Sequence, residues 1–86
     1  MDIEDFDWDE GNLEEIYAHR VSPEEVEQCF FNGPLWHKKK PGKGHRQERF
    51  YLIGRTDGGR TLFVVYQRKP GQIVRPITAY EKEWDG

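Results

Sequence analysis

Apolar residues in the first third of the chain recur at helical spacing. Leu13, Ile16 and Tyr17 stand at i, i+3 and i+4, which predicts one apolar stripe on a helix over about residues 10–18. Asp9 is in position to cap this helix, because a carboxylate there accepts hydrogen bonds from the free backbone N–H groups of the first turn. The pattern therefore predicts a short amphipathic helix near the N-terminus.

A second helix is predicted from a full set of start and stop signals. Ser22 is followed by Pro23 at the first helical position and by Glu25 three residues after the cap, which is a capping box. The apolar positions that follow at helical spacing are Val26, Cys29 and Phe30. The segment Asn32-Gly33-Pro34 ends the helix, because glycine and proline do not continue it.

Beyond residue 34 the apolar residues alternate, which is typical of β-strands. The predicted strands occupy residues 35–38, 48–54, 61–67 and 72–80. The stretch 61–67 is apolar on both faces, which predicts the central strand. Pro76 cannot donate to a strand ladder, so it predicts an edge or a bulge in the last strand. Residues 1–8 are predicted to form a short edge strand or an arm.

This order of elements predicts an α+β fold, in which two N-terminal helices pack on an antiparallel β-sheet meander in two layers. We expect a single domain, 1–86, because the 86 residues are already fewer than most domains contain. The start of the chain is acidic, and no apolar run approaches the roughly 20 residues that span a bilayer. We therefore expect neither a signal peptide nor a membrane anchor, and a cytoplasmic location.

The charges are divided by position along the chain. Residues 1–31 contain eleven acids and one base, Arg20, whereas residues 32–86 contain twelve Lys or Arg and five acids. The net charge of −3 hides this division. A basic region on an acidic chain indicates a local anionic partner, such as a phosphate backbone. The alternative is a salt-bridged surface, in which the acidic part of the same chain or of a partner binds the basic sheet.

Cysteine and histidine usage excludes two kinds of site. Cys29 is the only cysteine, so neither an intramolecular disulfide nor a set of thiolate zinc ligands can form. His19, His37 and His45 include no pair at i, i+4 spacing, so we expect no metal site and no cofactor.

Arginines stand at the ends and turns of the predicted strands, where their planar donors suit phosphate. They are Arg46, Arg49, Arg55, Arg60, Arg68 and Arg75, with Tyr51, Tyr66 and Tyr80 near them in sequence. This combination predicts a surface that binds and stacks RNA, but a solvated position beside a turn also explains Arg60 and Arg68. Arg75 has the parity of Ile73, Ile77 and Ala79, so a charge on that face requires an ion pair or a site.

His19 ends the first predicted helix and has two explanations. It caps the helix C-terminus, where the dipole favours a cation, or it acts as a general acid or base between helix and sheet. The basic segment from Lys39 to Arg46, which includes Lys40, is interpreted as an electrostatic arm or a solvated loop.

Several motifs together resemble the BrnT family of toxins. The family patterns W-D-E-x-N and H-G-V-[ST]-x-E-E are similar to Trp8-Asp9-Glu10-Gly11-Asn12 and to His19-Arg20-Val21-Ser22-Pro23-Glu24-Glu25. Its second half is matched by Glu48-Arg49-Phe50, Gly54-Arg55-Thr56, Gly59-Arg60 and Arg75-Pro76-Ile77-Thr78-Ala79. The resemblance covers about residues 6–80, in the same order and spacing.

The resemblance implies a RelE-like fold and a metal-independent ribonuclease toxin of a type II toxin–antitoxin pair. Its partners would be RNA and a small BrnA-like antitoxin, in a homodimer or in a hetero-oligomer with the antitoxin. By matching position, His19 would be the acid or base, and Arg49, Arg55 and Arg75 would hold the scissile phosphate during 2′-hydroxyl attack. The further RNA-binding residues would be Arg20, Arg60, Arg68, Tyr80, Lys39 and Lys40.

The chain departs from the family pattern at three positions. Ala18 replaces a usual Lys or Arg, Arg20 replaces a glycine, and Tyr80 replaces an arginine. Ala18 and Tyr80 are neutral where the family is basic. They leave a second hypothesis open, a non-catalytic module on the same fold that binds RNA or an antitoxin.

Overall fold

The computed structural model describes residues 2–40 and 48–84, and it describes their side chains except those of Lys39 and Lys40. Two helices, α1 and α2, and five strands, β1 to β5, make up this part of the chain. They are β1 (Asp5–Phe6), α1 (Glu10–Ala18), α2 (Pro23–Phe31), β2 (Trp36–Lys40), β3 (Arg49–Arg55), β4 (Thr61–Lys69) and β5 (Ile73–Glu81).

Both predicted helices are confirmed, together with their caps. The Asp9 side chain accepts from the Asn12 N–H at 3.1 Å, and the Asn12 side chain accepts from the Asp9 N–H at 2.8 Å. Ser22 and Glu25 make the equivalent reciprocal pair at the start of α2. These bonds satisfy backbone donors that have no partner within the helix, so each helix start is fixed by its local sequence.

The sheet has the strand order β1-β5-β4-β3-β2. Strands β2 to β5 are antiparallel neighbours, which confirms the predicted meander, and β4 lies in the middle as its two apolar faces indicated. The N-terminal segment adds a short edge strand, because Asp5 and Phe6 pair in parallel with β5. The fold is therefore α+β with a mixed sheet.

A β-bulge interrupts β5 at the predicted position. Val65 pairs with Thr78, but the next residue, Tyr66, pairs with Pro76, which leaves Ile77 as the extra residue. An extra residue reverses which side chains point to which face. Arg75 therefore does not share a face with Ala79, and that part of the parity prediction is wrong.

The two faces of the sheet differ in what covers them. Both helices pack on one side, the helix-covered face, where the Phe30 ring lies 4.9 Å from Tyr66 and α2 passes closely over Gly54. The buried core lies there, and its largest fully buried side chains include Ile16, Leu52, Leu62 and Tyr66. The opposite side, the open face, carries the cross-strand partners Ile53, Phe63 and Tyr80.

Helix α1 ends in a Schellman motif that requires a left-handed residue. The Val21 N–H donates to the Ile16 carbonyl, and the Arg20 N–H donates to the Tyr17 carbonyl. Arg20 has φ +60°, a region in which a side chain is strained and glycine is not. The position is the one at which the family pattern has glycine.

We expect Arg20→Gly to raise the free energy of unfolding by about 1 kcal/mol, because it relieves the left-handed backbone. Urea denaturation of the purified protein measures this. Arg20→Ala is the matched control, since it removes the same side chain and keeps the Cβ atom. Equal stabilities of the Gly and Ala variants would contradict the prediction.

Candidate functional site

A shallow groove of about 410 Å³ lies between α1 and β5. It is lined by Gly11, Asn12, Glu15, Arg75, Ile77 and Thr78. Within it, one oxygen of Glu15 accepts from the Thr78 hydroxyl at 2.8 Å and from the His19 Nε2 at 3.2 Å. Glu15 therefore holds His19 beside the groove and is itself fixed to the sheet through Thr78.

His19 does not line this α1–β5 groove itself but contacts its residue Glu15. It is the C-cap residue of α1, at the helix end where it was predicted, and its side chain is 42% exposed. Its ring lies 5.8 Å from the ring of Tyr80. Arg75 lines the same groove beside Asn12, and the helical rise from Asn12 to His19 separates the two ends by about 10 Å.

Arg75 is held by two acids that precede α1. Its Nη1 lies 2.8 Å from an oxygen of Asp9 and 3.4 Å from an oxygen of Asp7, and Lys69 contacts the same Asp7 oxygen at 2.8 Å. The hydrogen bond from Lys69 lowers the pKa of Asp7. The pKa of Asp9 is lowered by a hydrogen bond from the Asn12 backbone N–H and by a second hydrogen bond from the Arg75 side chain. The ion pair that was one of the two explanations for a charge at Arg75 is therefore present.

The two arginines of β3 lie on the open face, far from each other. Arg49 begins the strand and Arg55 ends it, so about 20 Å separates them. Phe50 of β3 pairs with Tyr66 of β4, so the next residue outward, Arg49, stands opposite Gln67. Gln67 in turn pairs with Arg75 of β5. Arg49 and Arg75 thus lie about 10 Å apart in one row across the sheet.

Arg60 and Arg68 lie on the helix-covered face. Arg60 contacts Glu25 and Glu81 at 2.9 Å, and it donates to the Arg20 carbonyl at 3.0 Å. Burial alone would raise the pKa of Glu25, but hydrogen bonds from Ser22 and Arg60 outweigh it and lower that pKa. Arg60 thereby ties the β3–β4 hairpin to α2.

Arg68 stands near a buried tyrosine. Its guanidinium lies 5.8 Å from the centroid of the Phe50 ring, which itself stacks on Tyr66 at 5.3 Å. Tyr66 is fully buried and its hydroxyl contacts the His37 ring, while burial raises its pKa to about 12. Tyr66, predicted among the tyrosines that stack RNA, is therefore a core residue.

Three aromatic rings of the open face continue to His19. Tyr51 lies 5.9 Å from Phe63, Phe63 stacks on Tyr80 at 5.4 Å, and Tyr80 contacts His19. We call these four residues the ring row. Phe63 and Glu15 were not predicted from the sequence, although the apolar alternation of 61–67 placed Phe63 in the central strand.

The remaining predicted site residues are placed only in part. Arg20 is exposed and directly follows His19. Lys39 and Lys40 belong to β2, but their side chains and most of the basic segment from Lys39 to Arg46 lie outside the described residues. Within residues 2–40 and 48–84, no group of three His, Cys, Asp or Glu is arranged to hold a metal ion. No helix in this part of the chain is long and apolar enough to cross a membrane.

These features define a small α+β protein with arginines on an open sheet face and a histidine–glutamate pair beside it. The family of ribonuclease toxins called BrnT, of type II toxin–antitoxin systems, matches residues 8–83, so the chain belongs to it. Membership implies an antitoxin protein as partner. No curated protein and no solved structure matches the chain.

Proposed function

We propose that the chain cleaves RNA without a metal ion, by attack of a 2′-hydroxyl on the neighbouring phosphate. The observation that carries the proposal is the Glu15–His19 hydrogen bond, because Glu15 and Arg75 line the same groove. The 2′ oxygen bonds to phosphorus while the bond to the 5′ oxygen breaks. The products are a 2′,3′-cyclic phosphate and a 5′-hydroxyl.

His19 takes the proton of the attacking 2′-hydroxyl, and the imidazolium that forms returns a proton to the departing 5′ oxygen. Glu15 occupies Nε2, which leaves Nδ1 to accept the proton of the attacking 2′-hydroxyl. A carboxylate beside the ring orients it and stabilises the imidazolium that forms. The side chain of His19 is 42% exposed, which gives a ribose access to the ring.

The arginines hold different phosphates of one strand. Arg49 and Arg55 are too far apart to bind the same phosphate, and Arg75 shares a row with Arg49. Arg20, beside His19, supplies a positive charge near the reacting phosphate. Arg60 and Arg68 lie on the other face, so the proposal gives them no phosphate contact.

Arg75→Ala tests the proposal. We expect it to lower the rate of RNA cleavage about 100-fold, because the scissile strand loses a charged donor. The substrate is an oligonucleotide with one ribose among deoxyriboses, cut in EDTA, with the cyclic phosphate identified by mass. Lys69→Ala is the matched control, since it also removes a cation from Asp7 and leaves Arg75 in place.

Two results would contradict this function. If the protein leaves RNA uncut both with and without added divalent metal, it is not a ribonuclease. If EDTA abolishes cleavage, the reaction is not metal-independent. Salt-dependent binding without cleavage would support the alternative, a non-catalytic RNA-binding module, which the neutral Ala18 and Tyr80 favour.

A further inference from the structure

The ring row crosses three strands of the open face without a gap. Successive centroids lie 5.9, 5.4 and 5.8 Å apart from Tyr51 through Phe63 and Tyr80 to His19. Each spacing lies within the range of direct ring contact. The row therefore leads from β3 to the proposed acid–base residue.

Packing explains only part of this row. Ile53 and Val65 are only 3% and 8% exposed, and each pairs across the sheet with a residue of the row, Ile53 with Phe63 and Val65 with Tyr51. Tyr51 and Phe63 are themselves partly buried. Tyr80 is 39% exposed, and its ring lies against His19. Burying the apolar residues of the sheet does not require a ring in this position.

We propose that the ring row stacks the unpaired bases of single-stranded RNA, with the base beside the scissile phosphate on Tyr80. This inference rests on the proposed function. Aromatic rings on a small sheet hold two or three splayed bases in this way, whereas the bases of a duplex offer no free ring faces. The occupant is therefore a single strand.

The charge around the row fits the same occupant. Lys38 pairs with Tyr51 at the β2 side, and Arg49 and Arg55 lie at the two ends of β3 on the same face. Cations at the border of an aromatic surface bind the sugar–phosphate backbone while the rings take the bases. Such a surface selects single strands and tolerates different bases.

The test measures binding without cleavage. Fluorescence anisotropy at fixed salt compares a 2′-O-methyl heptauridylate with an abasic strand of equal length and charge. The methyl group blocks the attacking hydroxyl, so the measurement does not depend on catalysis. We expect the abasic strand to bind about 100-fold more weakly, which corresponds to two lost stacks.

Variants assign the effect to Tyr80. Tyr80→Leu should weaken heptauridylate binding about tenfold and leave the abasic strand unchanged, while Tyr80→Phe should retain the binding. Tyr17→Leu is the matched control, because Tyr17 is a 56% exposed tyrosine of α1 outside the ring row. It should bind like the unchanged protein.

Three outcomes would overturn the inference. They are equal affinity for the uridylate and the abasic strand, equal affinity for a duplex of the same length, and a Tyr80→Leu variant that weakens only the antitoxin complex. Base-dependent binding without cleavage of an all-ribose strand would instead contradict the proposed function and leave this inference standing.

Discussion

His19→Asn is expected to abolish nearly all RNA cleavage, with the rate falling about a thousandfold. The imidazole is the group that takes the proton from the 2′-hydroxyl, and an amide cannot replace it at neutral pH. The backbone N–H of residue 19, which caps α1, is retained by asparagine. Single-turnover cleavage of an all-ribose oligonucleotide measures the loss.

His37→Asn is the matched control for this prediction. His37 lies on the helix-covered face, where it contacts the buried Tyr66 hydroxyl, so its loss should cost stability without changing the cleavage rate per folded molecule. Circular dichroism and urea unfolding of both variants separate the two effects. A His19→Asn variant that cleaves at the rate of the unchanged protein would remove His19 from the mechanism.

Local signals in the sequence predicted the elements of this fold well. The capping residues Asp9 and Ser22 and the proline at the start of α2 are determined by bonds within four residues, which a sequence contains in full. Pro76 similarly predicted the bulge, because a missing N–H constrains the ladder wherever the strand lies. These predictions needed no tertiary information.

The ion pairs of the site could not be predicted in this way. Arg75 and Asp7 are 68 residues apart in sequence, and they meet only because β1 pairs in parallel with β5. The acidic first third and the basic remainder of the chain thus neutralise each other in part, as the salt-bridged alternative proposed, through Lys69, Arg75 and Arg60. Arg49 and Arg55 have no ion-pair partner among the described residues.

Gly54→Ala is expected to lower the free energy of unfolding by about 3 kcal/mol. A Cβ atom at this position would lie 2.7 Å from the Cys29 carbonyl oxygen and 2.8 Å from the Cys29 Cβ. Both atoms belong to the last turn of α2, so relief would require moving the helix off the sheet. The close packing of α2 on β3 therefore explains why the Gly54-Arg55-Thr56 motif begins with glycine.

Gly58→Ala provides the comparison, because its new Cβ would meet nothing closer than the Thr56 hydroxyl at 3.9 Å. This turn variant should stay within about 0.5 kcal/mol of the unchanged protein in urea unfolding. Because no residue of α2 lines the α1–β5 groove, RNA cleavage by Gly54→Ala should fall only as the folded fraction falls. Equal urea midpoints for the two glycine variants would show that α2 can shift from β3 at little cost, contrary to the close contact of Gly54 with Cys29.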